Sequence, residues 1–327
     1  VRAIVITRPG SAEVLEERER PAPVPGAGQL RVRVRASALN RADLMQRQGN
    51  YPAPAGAPAD IPGMEYAGDV DALGPDTTLW KVGDRVMGIV GGGAHAELLV
   101  THEREVIPMP RGMSYEDAAA IPEVFLTAHD ALARQLGVGV GERVLVHAVG
   151  SGVGTAALQL ALLTGATVVG TSRSPDKLTK AAALGLQHPI DASGTDWIAQ
   201  VEERVGRNGV HAIVDLVGGS YLPGNLAVLA PRGRLVIVGL TAGRRAELDM
   251  GVVLGKRLHV VGTVLRARAL EEKIALAREF SERIVPQFES GRLRPVVDRV
   301  VPFGRIREAH ELLEAGDTFG KVVVSWQ

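Results

Sequence analysis

The chain has 327 residues, enough for two domains of ordinary size and too many for one ordinary core. Lys plus Arg and Asp plus Glu each number 37, so a formal net charge of +0 offers no electrostatic footprint for a polyanion such as nucleic acid. No cysteine is present, which excludes disulfides, thiolate ligands for zinc or an iron–sulfur cluster, and a cysteine nucleophile.

Val1-Arg2-Ala3-Ile4-Val5-Ile6 reads as a strand and lacks a signal peptide's charged-then-apolar layout. No apolar run approaches the roughly 20 residues needed to span a bilayer, so no membrane association is expected and the cytosol is the default compartment. Up to about residue 120, strand-like runs at Leu30–Ala36, Tyr66–Val70 and Arg85–Val90 are broken by Pro and Gly turns. That pattern predicts a twisted β-rich domain.

From Glu142 the character changes. Arg143-Val144-Leu145-Val146-His147-Ala148 is a nearly continuous apolar run, as expected of a parallel strand buried on both faces. Gly150-Ser151-Gly152-Val153-Gly154 follows, then an Ala- and Leu-rich helix predicted over Thr155–Leu163, then a second strand at Thr167–Thr171. This is β–Gly-loop–α–β in about 30 residues, the size of a dinucleotide-binding unit. The glycines permit a tight turn and bring backbone close to a pyrophosphate, and the helix start offers N–H groups and positive dipole to that anion.

At the end of the second strand an NAD enzyme usually places Asp or Glu, to hold the ribose hydroxyls. This chain has Ser172-Arg173-Ser174-Pro175-Asp176-Lys177 instead. Ser174 is predicted to cap a helix with Pro175 at its first position, so that Arg173 and Lys177 flank the helix start and suit a 2′-phosphate. The expected cofactor is therefore NADPH, with NADH possible; the alternative is two ordinary surface cations beside Asp176.

Strand candidates recur at Ala212–Asp215 and Gly233–Gly239 with helical stretches between, which predicts a doubly wound parallel sheet. Gly218, Gly219 and Gly239, with Leu240 beyond, stand past strand ends, where ligands of such sheets lie. Arg257–Leu265 is largely apolar and is expected to add an edge strand to this sheet. Helices near Leu270–Glu289 and Ile306–Glu314, and strands at Arg294–Val301 and Lys321–Val324, return to the character of the first domain. The expected organisation is thus α/β: a Rossmann doubly wound parallel sheet over residues 122–262, inserted in a β-rich catalytic domain made of 1–121 and 263–327, with a site in the cleft between them.

Asn40-Arg41-Ala42-Asp43-Leu44-Met45-Gln46-Arg47-Gln48-Gly49, Pro62-Gly63-Met64-Glu65, Leu126-Thr127-Ala128, Ser151–Ala157 and Gly218-Gly219-Ser220-Tyr221 carry a resemblance across essentially the whole chain. It resembles the medium-chain dehydrogenase/reductase superfamily, whose GroES-like catalytic domain wraps around a Rossmann domain. Within it the chain looks most like the zinc-independent, zeta-crystallin-like quinone oxidoreductases, in particular the tumour-suppressor-inducible branch. Where the superfamily's zinc alcohol dehydrogenases carry a cysteine and a histidine, this chain has Asn40 and Met64, so no metal is expected and a Lewis-acid mechanism is disfavoured. The family's NADPH-binding tyrosine, expected near Asp191-Ala192, is also missing.

The resemblance implies hydride or electron transfer to a quinone or a conjugated carbonyl, with the protein supplying positioning and an electrostatic setting. It places Asn40 and Tyr51 on the nicotinamide side of the site. Tyr51 would stack on a flat quinone or donate to its oxygen, or else simply pack at the root of its loop. Thr127, read as lying at a helix start, is expected at the nicotinamide end. Gly320-Lys321 matches a family position beside the cofactor, although a terminal surface lysine explains it nearly as well. Asp43 and Glu65 read as holders of turns rather than acid–base groups. His95, His129 and His147 read as bystanders. Two other functions remain open on these residues: a 2-enoyl thioester or enone reductase, and a non-catalytic, crystallin-like NADPH-binding protein. The resemblance further implies a homodimer, in which the Arg257–Leu265 edge strands of two subunits pair antiparallel across a two-fold axis.

Overall fold

A computed structural model describes residues 1–326. The chain divides into two compact units, one formed by Val1–Leu126 and the chain from Leu265 onward, the other by Thr127–Val264.

The first part of the β-rich unit contains β1 (Arg2–Ile6), β2 (Leu15–Glu19), β3 (Gln29–Ala38), α1 (Arg41–Arg47), β4 (Glu65–Leu73), β5 (Arg85–Ile89), β6 (Leu98–His102), β7 (Ile107–Pro108), α2 (Tyr115–Ala119) and the beginning of α3 (Pro122–His129). On β3 the residues alternate: Leu30, Val32 and Val34 are buried with Tyr66, Val70, Val86 and Leu99, while Arg31, Arg33 and Arg35 pair with Asp71 and Asp69 on β4. That is the period-2 pattern of a sheet with one dry face.

The second unit is a six-stranded, wholly parallel sheet in the order β10-β9-β8-β11-β12-β13. Its elements are β8 (Arg143–Val146), α4 (Gly152–Leu163), β9 (Thr167–Ser172), α5 (Pro175–Ala182), β10 (His188–Asp191), α6 (Trp197–Val205), β11 (Val210–Asp215), α7 (Leu222–Val228), β12 (Leu229–Ile237), α8 (Met250–Lys256) and β13 (His259–Gly262). Counted within the unit this is 3-2-1-4-5-6, the order of a dinucleotide-binding Rossmann fold. The central strands are fully buried, with Leu145, Val169, Ile213 and Leu235 packed in one core with Trp197 and Val201 of α6. The chain then returns to the first unit through α9 (Leu270–Arg283), α10 (Val285–Glu289), β14 (Val297–Pro302), α11 (Ile306–Ala315) and β15 (Lys321–Ser325). There β15 pairs antiparallel with β3 and closes a second core around Ile4, Leu39, Phe303, Val322 and Val324.

Several elements differ from the expectation. α4 begins at Gly152 rather than Thr155, because Ser151 caps it, its Oγ accepting from Gly154 N at 3.1 Å. The glycine run is therefore mostly helix rather than mostly loop. The first segment of the β-rich unit runs to Leu126, beyond the expected 121. Pro122–Leu126 belong with it: Glu123 N donates to Glu65, and Phe125 packs edge-on against Phe288 at 4.8 Å. The helix predicted over 270–289 is two, with Pro286 near the start of the second. Among the described residues, no helix is long and apolar enough to cross a membrane.

Candidate functional site

Each unit carries a built polar centre near the residues singled out by the sequence. In the β-rich unit it starts at Asn40, at the entry of α1. Asn40 N donates to Asp43 Oδ2 at 2.7 Å and Gly63 N donates to Asp43 Oδ1 at 2.9 Å, so Asp43 ties two turns together. The Asn40 amide is engaged at both ends: Nδ2 donates to Glu65 Oε1 at 2.8 Å, and Oδ1 accepts from Lys321 Nζ at 2.6 Å. Lys321 also donates to Leu39 O and to Glu65 Oε1, the last at 2.7 Å. Its three donors are all used, and neither it nor Glu65 reaches solvent, with side-chain exposures of 4% and 0%. Lys321 is thus a buried counter-ion, which rules out the alternative of a surface lysine. Burial pushes Glu65 above the usual carboxylate range, opposed chiefly by the Lys321 charge.

Beside this network lies Tyr51. The Arg266 guanidinium stands over its ring at 4.8 Å and also donates to Gly91 O, Tyr51 O and Gln46 Oε1. Burial raises the Tyr51 phenol and the arginine opposes that shift, so the hydroxyl is a neutral donor near pH 7. Arg266 was not foreseen. Its partners lie 175 to 220 residues away, and nothing local distinguishes it. His95 is fully buried and bonded to Ser37 Oγ at 2.9 Å, and burial depresses it to about 3, so it packs as a neutral ring.

In the Rossmann unit the Gly loop meets the helix start. A Cβ on Gly154 would lie 2.3 Å from Ala148 O and 2.8 Å from Val149 backbone, so only glycine lets α4 approach the end of β8 this closely. With Ser151 capping Gly154 N, the N–H groups of Gly152 and Val153 remain in the first turn, where no intrahelical partner exists for them. Gly150 precedes the cap. Across the sheet, Asp215 at the end of β11 accepts from Val217 N and Gly218 N, both at 2.8 Å, and from Asn225 Nδ2 at 3.0 Å. This folds Gly218 (φ 67°) against Gly239 O and Leu240, where a Cβ would come within 2.9 Å. His147, far from idle, bridges Thr171 Oγ1 and Asn225 Oδ1 at 2.9 and 2.7 Å and locks the ends of β8, β9 and α7 together.

At the end of β9, Ser172 Oγ accepts from Ser174 N, and Ser174 caps α5 with Pro175 at its start, as the sequence predicts. Arg173 is exposed, and its charge is felt by the half-buried Tyr221, which stacks on Trp197 at 5.4 Å. Thr127 is buried in the last turn of α3 and not at a helix start, because α3 already begins at Pro122, five residues earlier.

Residues 26–111 match the alcohol dehydrogenase GroES-like domain, and residues 152–281 match the family described as zinc-binding dehydrogenase. A quinone oxidoreductase of Pseudomonas aeruginosa is 34% identical over 96% of each chain. A solved structure described as an NAD-dependent alcohol dehydrogenase has a TM-score of 0.89 at 35% identity, covering 100% of both chains. The CurK enoyl reductase has a TM-score of 0.88 at 29% identity over 99% of this chain and 98% of its own. The chain belongs to the quinone oxidoreductase family of the medium-chain dehydrogenase/reductase superfamily.

Proposed function

We propose that this oxidoreductase reduces quinones or carbonyls conjugated to C=C with NADPH, without a metal. The observation that carries the reading is the buried Asn40–Glu65–Lys321 network. Zinc does not fit there. The amide at the cysteine position of the zinc enzymes is committed at both ends, Met64 brings only a thioether, and an ammonium adds a fixed positive charge. Among the described residues no group of three His, Cys, Asp or Glu side chains is placed to hold a metal. An acceptor reduced at such a site must be electrophilic in its own right.

The residues of the Rossmann unit fit a dinucleotide. Gly150, Ser151, Gly152, Val153 and Gly154 would hold its pyrophosphate, Gly218, Gly239 and Leu240 would border it, and Thr127 would lie at the nicotinamide end. When bound, the nicotinamide supplies the hydride. Tyr51 would offer the acceptor a hydroxyl and a ring for stacking, with Arg266 standing over the ring at 4.8 Å. Ser172 closes the turn that presents Arg173, and with Lys177 this arginine would bind the 2′-phosphate. Arg173→Ala and Lys177→Ala should each raise the NADPH KM on the order of tenfold, the loss of one charge-assisted contact, and hardly change that for NADH. Equal losses with both cofactors would remove the 2′-phosphate assignment.

The likeness to an enoyl reductase supports a second reading, reduction of a 2-enoyl thioester, on the same residues. Steady-state rates with 1,2-naphthoquinone, a small enone and a 2-enoyl thioester, each with NADPH and then NADH, decide between them. No turnover with any of the three would end both.

The protein further acts as a homodimer in this reading. Among the described residues β13 pairs only with β12, and Val260 on it is 37% exposed. α8 beside it buries no residue and leaves Met250 and Leu254 open. An uncovered apolar edge of this kind is a template for pairing with a second copy. Val260→Lys should convert a dimer to a monomer in sedimentation velocity at micromolar concentration. A monomeric unaltered protein would remove this proposal.

A further inference from the structure

Three carboxyl groups, Asp43, Glu65 and Glu123, share the polar centre of the β-rich unit with only two cations, Lys321 and Arg266. Asp43 and Glu65 are fully buried and Glu123 is half-buried, and desolvation favours the protonated form of all three. Their hydrogen bonds separate them. Asp43 accepts from two backbone N–H groups. Glu65 accepts from Asn40 Nδ2, Glu123 N and the Lys321 ammonium. Glu123 contributes its backbone N–H to Glu65, but no donor among the described residues reaches its carboxyl. Donors to a carboxylate favour the charged form, so the one carboxyl that lacks them is where a shared proton rests. With Glu123 neutral, two negative charges face two positive ones.

We infer that Glu123 is the general acid of the reaction, holding the proton that the reduced acceptor takes up. The inference rests on the reading of the protein as a quinone or enone reductase. Hydride adds two electrons and one hydrogen to the acceptor, leaving an anion that needs one proton. The O–H bond of the Glu123 carboxyl breaks, its electron pair stays on the carboxylate, and the proton forms the new bond on the acceptor. Solvent water returns a proton before the next turnover. The Glu123 charge acts on the Tyr51 phenol, and Arg266, which stands over the Tyr51 ring, acts on Glu123, so the acid and the residue that would orient the acceptor share one electrostatic setting.

The groups facing Glu123 are Glu65 on β4, Asp43 on α1, Lys321 on β15, and Arg266 before α9, with Tyr51 in the loop after α1. Desolvation first, and then the Glu65 charge, push the Glu123 carboxyl up to about 8. A group raised in this way keeps its proton at neutral pH and loses it as pH passes that value. The wild-type kcat should therefore fall above about pH 8.

Two measurements on the full chain test this. Infrared difference spectra of the protein without acceptor should show one carboxylic C=O band lost between about pH 7 and about pH 9, and Glu123→Gln should lack it. In turnover with 1,2-naphthoquinone, Glu123→Gln should lower kcat at pH 7 by about 10²-fold and abolish the alkaline fall, and Glu123→Asp should restore both in part. A band that survives in Glu123→Gln, or a variant with the wild-type rate and alkaline limb, overturns the assignment. If the wild type turns over none of the acceptors, the reductase reading fails and the role of acid falls with it, while the infrared band still reports whether Glu123 holds the proton.

Discussion

Lys321→Met is expected to cost about 3–5 kcal/mol at neutral pH, because it strips the counter-ion from a carboxylate with no access to water. The variant keeps the stem's apolar volume, so the loss reports charge rather than packing. Glu65 would keep its bonds from Asn40 Nδ2 and Glu123 N, which cannot offset a buried net charge. The pH dependence follows from the sign of the shift. Burial already raises Glu65 above its ordinary 4.5, and removing Lys321, the main opposing cause, raises it further. The folded variant then holds a proton more tightly than the unfolded chain. Its deficit should be smallest below about pH 4.5, where Glu65 is protonated in both states, and should grow as pH rises until Glu65 ionises in the folded variant. Adding Glu65→Gln should recover at least half of the loss at pH 7, as expected of a coupled pair. Denaturant unfolding at several pH values checks this. A deficit that does not change with pH, or two losses that simply add, would show that the ammonium is not the counter-ion.

Gly154→Ala should be nearly as damaging. The added methyl would stand 2.3 Å from Ala148 O, and the atoms it meets are all backbone. No rotamer can relieve the clash, so either α4 slides along its axis or the turn after β8 opens. We expect a loss on the order of 3 kcal/mol, at the upper end of overpacking costs. Because the same shift would pull Gly152 and Val153 N–H away from the loop, dinucleotide affinity should fall with stability. Gly139→Ala is the control: a Cβ there meets nothing within 4 Å, and stability should move by no more than about 0.5 kcal/mol. Paired thermal melts and NADPH titrations decide. A Gly154→Ala protein that melts with the control and still binds NADPH would mean that the helix start is not held as described.

The two experiments differ in how visible their targets are in the sequence. The Gly loop is legible because its physics is local. A strand, a tight turn and a helix start fall within a few residues of each other, and Ser174-Pro175 announces α5 in the same way. Even there the boundary was misplaced, since Ser151 caps the helix within what looks like loop. Thr127 was misplaced for a related reason. α3 starts at Pro122, a residue suited to a first helical turn, and this leaves Thr127 in its last turn rather than its first.

By itself the sequence determined the fold class, the family and the absence of thiolate chemistry. Alternating strand and helix patterns, a glycine fingerprint and the cysteine count are properties of short windows or of composition. Only the tertiary structure decided which charges are buried and what they face. Lys321 meets Asn40 across 281 residues, and Arg266 meets Gln46 across 220, through the pairing of β15 with β3 and the return of the chain before α9. The energy of a charge depends on its solvent exposure and on its partners' distance, and sequence separation encodes neither. That is why Lys321, expected beside the cofactor, could be read almost as well as a surface cation, and why Glu123, the third carboxyl of a centre with two cations, gave no sign of itself before the fold brought them together.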